Sequence, residues 1–186
     1  MSKITIDPKS TALVLIDLQK GIMGMPLAPL SSQQIVGSAH AISAYFRRLG
    51  APVVLVNVAY PSAEHKPNVD MSMPMPKDMP SGWDELVDGL GQQPTDIRIT
   101  KRGWSAFQNT DLDQQLKKRG INTIVIGGVA TNFGVESTAR EAIGLNYDVI
   151  FASDVMSTIS PQHQEFVLNQ VFPMMGRVRS SADIMS

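Results

Sequence analysis

The hydrophobic residues of this chain fall into short continuous runs, separated by stretches with the spacing of amphipathic helices. Six segments are predicted as strands: residues 11–16, 52–58, 96–100, 121–126, 148–152 and 174–179. Most of these runs are apolar throughout and rich in β-branched residues, as strands buried on both faces of a parallel sheet require.

Helices are predicted between the strands, where apolar residues recur every three to four positions. Their spans are residues 31–49, 84–90, 110–119, 135–145 and a last helix that begins at Ser160. Because parallel strands are joined through right-handed helical crossovers, this alternation predicts a doubly wound, mostly parallel α/β sheet of the Rossmann type. The length of 186 residues suits a single domain, residues 1–186.

Composition and charge narrow the class of partner. The chain has 16 basic and 17 acidic residues and a pI near 6.3, so we expect a small-molecule substrate and neither a nucleic acid nor a membrane as partner. It has no cysteine, which excludes disulfides, thiolate metal sites and a cysteine nucleophile. The first residues lack the apolar core of a signal peptide, and no apolar run reaches the ~18 residues of a membrane span. We therefore expect a cytoplasmic protein.

Chemically useful residues follow the first, third and fourth predicted strands. They are Asp17, Lys101 and a turn of small residues from Ala130 to Gly134. Because the carboxyl ends of parallel strands share one edge of a doubly wound sheet, the three can meet in one crevice. There, a carboxylate beside an ammonium is an acid/base pair, and the N–H groups of Ala130 and Gly134 can stabilise an oxyanion. Taken singly, Asp17 could merely close a turn and Lys101 could be a solvated surface residue.

Residues 60–80 form a stretch of unusual composition. It contains four methionines and five prolines, and so many prolines are incompatible with a regular helix or a central strand. Such an excursion is typical of a lid, a binding loop, a subunit contact or a loosely ordered surface loop. Tyr60 at its start and Trp83 shortly after its end are candidate pocket walls, and Trp83 could equally serve to anchor the loop.

Three segments resemble the signature blocks of the isochorismatase-like hydrolase superfamily. They are residues 14–19 (VLIDLQ), 101–112 (KRGWSAFQNTDL) and 128–140 (GVATNFGVESTAR). The resemblance covers nearly the whole chain, in the family's order and spacing, and implies a three-layer α/β/α fold with a six-stranded sheet. In such a fold Asp17 is the acid/base residue and Lys101 its partner. The resemblance also implies a cis peptide bond between Val129 and Ala130, and a homo-oligomer, either a dimer or a tetramer.

The sequence departs from the amidases of this family at Gly134. Nicotinamidases and N-carbamoylsarcosine amidases carry a nucleophilic cysteine there, so the resemblance places Gly134 at the nucleophile position without a thiol, and the acyl-enzyme route is closed. The isochorismatase branch also has glycine there and cleaves a vinyl ether without a covalent intermediate. In that chemistry an aspartic acid protonates the vinyl group and water takes up the resulting oxocarbenium ion. Residues expected to contact substrate are Gln19, Tyr60, Trp83, Trp104, Ala130, Asn132 and Gly134.

Two further departures concern ligands. The segment after Tyr60 has no Asp-x-His arrangement of the kind found in the nicotinamidase metal site, so we expect no metal and no cofactor. True isochorismatases hold a substrate carboxylate with an arginine in the loop after the second strand, yet no arginine lies between Arg48 and Arg98. Lys66 and Lys77 are the candidate replacements, although an ammonium lacks the two-pronged geometry of a guanidinium.

Together these features favour a metal-free, cysteine-independent hydrolase of a small organic substrate, with vinyl-ether cleavage by Asp17 and Lys101 as its chemistry. Two alternatives stay open. One is a pseudoenzyme that serves as an oligomeric small-molecule-binding protein. The other is an amide or carbamoyl hydrolase that uses activated water in place of a thiolate.

Overall fold

The computed structural model of the chain describes residues 4–59, 68–71 and 79–186. Its strands are β1 Thr11–Ile16, β2 Val53–Val58, β3 Ile97–Lys101, β4 Thr123–Val129, β5 Asp148–Ser157 and β6 Arg177–Arg179. They form one six-stranded sheet in the order β3-β2-β1-β4-β5-β6, and every neighbouring pair is parallel. The predicted doubly wound α/β sheet is therefore confirmed.

Helices cover both faces of this sheet. The α-helices are α1 Lys20–Met23, α2 Ser32–Arg48, α3 Leu112–Lys117, α4 Glu136–Gly144, α5 Pro161–Phe166 and α6 Ser181–Ile184. Shorter turns of 3-10 or π type occupy Asp88–Leu90, Thr131–Val135, Val167–Val171 and Phe172–Met174. The side chains of β1 alternate between two apolar clusters, with Val14 packed on the side of α3 and α4 and Leu15 on the side of α2 and α6. The result is the three-layer α/β/α arrangement.

The helix predicted at residues 84–90 is wrong in extent, because only the 3-10 turn Asp88–Leu90 is helical. The residues before that turn run beside the segment that follows β1. Lys20 N–H donates to Glu85 O at 2.8 Å, and Val87 N–H donates to Leu18 O at 3.0 Å. Glu85 O and Val87 N–H are thus bonded to the segment after β1, so they are unavailable for hydrogen bonds within a helix.

A close approach between β1 and β4 positions the candidate site. Gly128 has φ of 122°, and a Cβ atom there would lie 2.1 Å from Ile16 O, so only glycine fits at this point. The register of β4 on β5 also shifts between Ile126 and Gly128. The turn after β4 is thereby placed directly beside Asp17, the residue after β1.

Several predictions fall outside the described residues. Tyr60, Lys66, Lys77 and most of the stretch of residues 60–80 lie there. Among the helices of the described residues, none combines the length and the apolar character needed to cross a membrane.

Candidate active site

Asp17 and Lys101 lie side by side at the carboxyl edge of the sheet. Asp17 directly follows β1 and Lys101 ends β3, with β2 between the two strands. Lys101 Nζ lies 2.7 Å from Asp17 Oδ2, and the two side chains are only 3% and 7% exposed. The structure thus brings together two residues that are far apart in sequence, at the sheet edge where ligands of such folds bind.

The environment of Asp17 suits a proton donor. Its backbone has φ of 52°, an uncommon conformation for a residue other than glycine. Asp17 Oδ1 is buried and has no hydrogen-bond partner among the described residues. Burial raises the pKa of Asp17 to about 6, although the charge and the hydrogen bond of Lys101 act in the opposite direction. A carboxyl group with this pKa is protonated in about one molecule in ten at pH 7.

Lys101 is held by two acceptors. Besides the contact with Asp17, Lys101 Nζ donates a hydrogen bond to Gly103 O at 3.0 Å. A buried ammonium needs such partners, because an unpaired charge in a protein interior is costly. The surface interpretation of Lys101 is therefore wrong, and the ammonium has a fixed position against the carboxylate.

Gly134 lies directly beside this pair. β4 ends at Val129, the Val129–Ala130 peptide bond is cis, and the π-helical turn Thr131–Val135 then leads into α4. A Cβ atom on Gly134 would lie 3.2 Å from Asp17 Oδ2 and 3.1 Å from Ile16 Cγ2. A side chain at this position would therefore lie against the carboxyl group of Asp17.

The turn after β4 carries the other residues predicted around an oxyanion. Ala130 O accepts hydrogen bonds from Phe133 N–H at 3.1 Å and from Val135 N–H at 3.2 Å. Asn132 Oδ1 accepts a hydrogen bond from Thr158 Oγ1 at 2.5 Å, which orients the Asn132 amide. Two roles stay predictions. One is that the Ala130 and Gly134 N–H groups act as oxyanion donors, and the other is that Asn132 contacts the substrate.

Trp104 flanks the Gly134 turn with an exposed indole. Its side chain packs edge to face on Phe133, with 5.3 Å between ring centroids, and the residue is 64% exposed. Trp104 O lies 3.5 Å from the position of a Cβ atom on Gly134. Phe133 was not among the residues expected from the sequence. The signal that could have found it is an aromatic residue directly before Gly134 in the third motif.

Gln19 and Trp83 hold a loop to the end of β1. The Gln19 carboxamide is fully buried, accepts from Val58 N–H at 2.7 Å and donates to Val58 O at 3.1 Å and to Trp83 O at 3.4 Å. The Trp83 indole packs against Gly21, where a Cβ atom would lie 1.9 Å from the indole Nε1. These contacts support the anchoring role of Trp83. Substrate contact by either residue stays a prediction.

A metal ion would need a cluster of carboxylate or imidazole side chains. Within residues 4–59, 68–71 and 79–186, no group of three or more His, Asp or Glu side chains is arranged to hold one. Tyr60, predicted as a pocket wall, lies outside these ranges. Among the described residues, the groups that lie together at this site are the Asp17 carboxyl, the Lys101 ammonium and the backbone of the Gly134 turn.

Known proteins are similar to this chain in sequence and in fold. The Isochorismatase domain matches residues 11–183. An uncharacterized isochorismatase family protein of Bacillus subtilis, YwoC, is 43% identical over 188 residues, which cover 100% of this chain and 97% of that protein. The ureidoacrylate amidohydrolase RutB of Pseudomonas syringae is 30% identical over 206 residues, which cover 97% of this chain and 84% of that protein.

A solved structure gives the same result. The structure of an isochorismatase family protein from Burkholderia thailandensis has a TM-score of 0.92 and 43% sequence identity, and the match covers 99% of this chain and 97% of that chain. The matched domain contains Asp17, Lys101 and Gly134 within its bounds. These likenesses span the full sheet and the candidate site alike, and this chain belongs to the isochorismatase family of hydrolases.

Proposed function

We propose that this protein hydrolyses a vinyl ether of a small organic molecule by acid/base chemistry of Asp17 and Lys101, without a nucleophilic side chain. One observation carries the proposal. The Asp17 carboxyl is buried, has a pKa of about 6 and lies beside Gly134. Its Oδ2 contacts the Lys101 ammonium, whereas its Oδ1 has no hydrogen-bond partner among the described residues. This arrangement supplies a proton donor and no attacking group.

The reaction balances with water as the only co-reactant. The Asp17 carboxyl gives its proton to the terminal vinyl carbon, which leaves an oxocarbenium ion on the substrate. Water adds to the cationic carbon and returns a proton to the Asp17 carboxylate. The resulting hemiketal then collapses to a ketone and an alcohol. Lys101 stabilises the carboxylate that forms in the first step, since its ammonium lies 2.7 Å from Asp17 Oδ2.

A second candidate, hydrolysis of an amide or ureido bond by activated water, is favoured by the 30% identity to a ureidoacrylate amidohydrolase. The chain has no cysteine, so water would have to attack the carbonyl, with Asp17 as general base. The two candidates differ in pH dependence. A general acid is active when protonated, so vinyl-ether cleavage would become faster as pH falls through about 6, whereas general-base catalysis would become slower.

The test is an assay of the purified protein against two substrate panels, one of enol ethers that includes isochorismate and one of amides that includes ureidoacrylate. We expect enol-ether turnover, and a loss of roughly 10² to 10⁴-fold in Asp17→Asn. Asp113→Asn is the matched control, because it removes a carboxylate paired with Lys117 on the surface of α3. Its turnover should equal that of the wild type.

Other outcomes decide between the alternatives. Equal turnover by wild type and Asp17→Asn would remove Asp17 from the mechanism. Turnover of the amide panel alone, rising with pH, would replace the ether proposal by the second candidate. Ligand-dependent thermal stabilisation with no turnover of either panel would identify a small-molecule-binding protein that lacks catalysis.

A further inference from the structure

One buried hydroxyl joins the two segments that form the candidate site. Thr138 lies in α4 and is fully buried. Its Oγ1 accepts a hydrogen bond from Ala106 N–H at 3.0 Å and donates one to Gly134 O at 2.7 Å. Ala106 belongs to the loop that follows Lys101, and Gly134 belongs to the turn after β4. The Thr138 hydroxyl is therefore a bridge between two segments that no regular strand pairing connects.

The chemistry of this bridge requires a hydroxyl. A hydroxyl group can accept from an N–H and donate to a carbonyl at the same time, which few side chains of this size can do. Ala106 is fully buried, so its N–H would lack a partner without Thr138 and would pay the desolvation penalty of an unpaired donor. Valine has almost the same shape as threonine but offers neither bond.

The bridge lies close to the space between the Lys101 loop, the Gly134 turn and the Asp17 carboxyl. Trp104 O, two residues before Ala106, lies 3.5 Å from the position of a Cβ atom on Gly134, and Asp17 Oδ2 lies 3.2 Å from the same point. Trp104 O and Asp17 Oδ2 therefore border the same narrow space beside Gly134. Movement of the loop away from the turn would open this space to bulk water. The burial of Asp17 thus depends on how tightly the loop and the turn are held together.

We propose that Thr138 is a positioning residue, which closes the Lys101 loop onto the Gly134 turn and thereby keeps bulk water away from the Asp17 carboxyl. Thr138 does not touch the reacting atoms and acts through Ala106 and Gly134. The catalytic consequence rests on the proposed function. The structural consequence, the environment of Asp17, does not depend on it.

Thr110 provides a matched control on the same loop. Its Oγ1 donates to Ala106 O at 2.6 Å and accepts from Leu112 N–H at 3.3 Å. These bonds stay within the loop and the start of α3 and do not reach Gly134. Thr110→Val therefore removes a threonine hydroxyl that is also bonded to Ala106, but it leaves the bridge from Ala106 to Gly134 intact.

The experiment measures the titration of the Asp17 carboxyl by ¹³C NMR of aspartate-labelled protein, with Asp17→Asn to assign the signal. In Thr138→Val we expect the pKa of Asp17 to fall from about 6 towards its ordinary value of 3.8, because water reaches the carboxyl. In Thr138→Ser and Thr110→Val it should remain at the wild-type value. On an enol ether that the wild type hydrolyses, Thr138→Val should lower kcat by on the order of tenfold or more, with KM changed by less than about twofold.

An unchanged or raised pKa of Asp17 in folded Thr138→Val would overturn the proposal, as would equal shifts in Thr138→Val and Thr110→Val. If Thr138→Val does not fold, the pKa of Asp17 in Thr138→Ser is the test of the proposal. This variant keeps the hydroxyl, so a pKa of Asp17 that differs from the wild type would also overturn the proposal. If the wild type hydrolyses none of the substrates, the proposed function fails, yet the NMR titration still tests the role of Thr138.

Discussion

Among the described residues, two buried aspartates pair with a cationic side chain, and the two pairs are constructed differently. Arg47 donates two bonds to Asp96, from Nε to Oδ1 at 3.0 Å and from Nη2 to Oδ2 at 2.8 Å. Asp96 Oδ2 also accepts from Gln93 N–H at 2.8 Å. Every carboxyl oxygen of Asp96 thus has a partner. Asp17, by contrast, pairs through a single oxygen, and its Oδ1 has no partner among the described residues.

The location of each pair explains the difference. Asp96 directly precedes β3 and joins it to the last turn of α2 through Arg47, at the amino end of the strand. Asp17 follows β1 at the carboxyl edge, where ligands of doubly wound sheets bind. A fully satisfied carboxylate is suited to holding elements together. A carboxyl with an unused oxygen and a raised pKa is suited to exchanging protons with a substrate.

Asp96→Asn should produce the largest change in stability. Asparagine has one acceptor oxygen and presents an amide donor to the guanidinium, so the Arg47 fork and the bond from Gln93 N–H cannot all be kept. We expect the free energy of unfolding to fall by about 3 to 5 kcal/mol in urea titrations. Turnover per folded molecule should be unchanged. A loss of turnover without a loss of stability would break the distinction between the two pairs.

The pH dependence of stability tests the raised pKa of Asp17. The folded protein binds the Asp17 proton more tightly than the unfolded chain does, so the stabilisation is fully present below pH 3.8 and is lost as pH rises to about 6. At about 1.4 kcal/mol per pKa unit, the loss amounts to about 3 kcal/mol, with no further change above this range. Asp7, Asp113 and Asp183 have lowered pKa values and contribute with the opposite sign.

The comparison with Asp17→Asn isolates this contribution. Urea titrations of both proteins between pH 3.5 and 7 contain the same effects of the other carboxyl groups, so these cancel in the difference. The difference should vary between about pH 4 and 6 and be flat above that range. A difference that is flat throughout would show that burial does not raise the pKa of Asp17, and the contrast with Asp96 would lose its chemical meaning.

The sheet could be predicted from the sequence because most of its strands, among them β1, β2 and β4, are local apolar runs. The meeting of Asp17 with Lys101 could also be predicted, since parallel strands place their carboxyl ends on one edge. The bridge formed by Thr138 could not, because a buried threonine at a helical position has no sequence pattern that separates it from ordinary packing. The anchoring contacts of Gln19 were missed for a similar reason. They are made with backbone atoms of Val58 and Trp83, which leave no trace in side-chain patterns.

Gly134→Ala should have the smallest effect on stability, and it tests the space beside Asp17. The added Cβ would lie 3.2 Å from Asp17 Oδ2 and 3.1 Å from Ile16 Cγ2, closer than ordinary van der Waals contact. The neighbours must shift by a few tenths of an ångström, and nothing comparable happens at Asp96. We expect turnover to fall by about tenfold, measured as kcat on an enol ether. Because Gly134 lies in a helical turn, the free energy of unfolding should change by less than about 1 kcal/mol.

Gly37→Ala is the matched control for this substitution. Gly37 lies in the middle of α2, and a Cβ atom there would have no neighbour within 4 Å. Alanine should therefore stabilise the protein by about 0.5 to 1 kcal/mol through its better helix propensity, with turnover unchanged. Equal turnover by Gly134→Ala and Gly37→Ala would mean that the space beside Asp17 is not needed for the reaction. A selective loss of turnover in Gly134→Ala would show that the acid/base pair depends on the narrow space that glycine leaves beside Asp17.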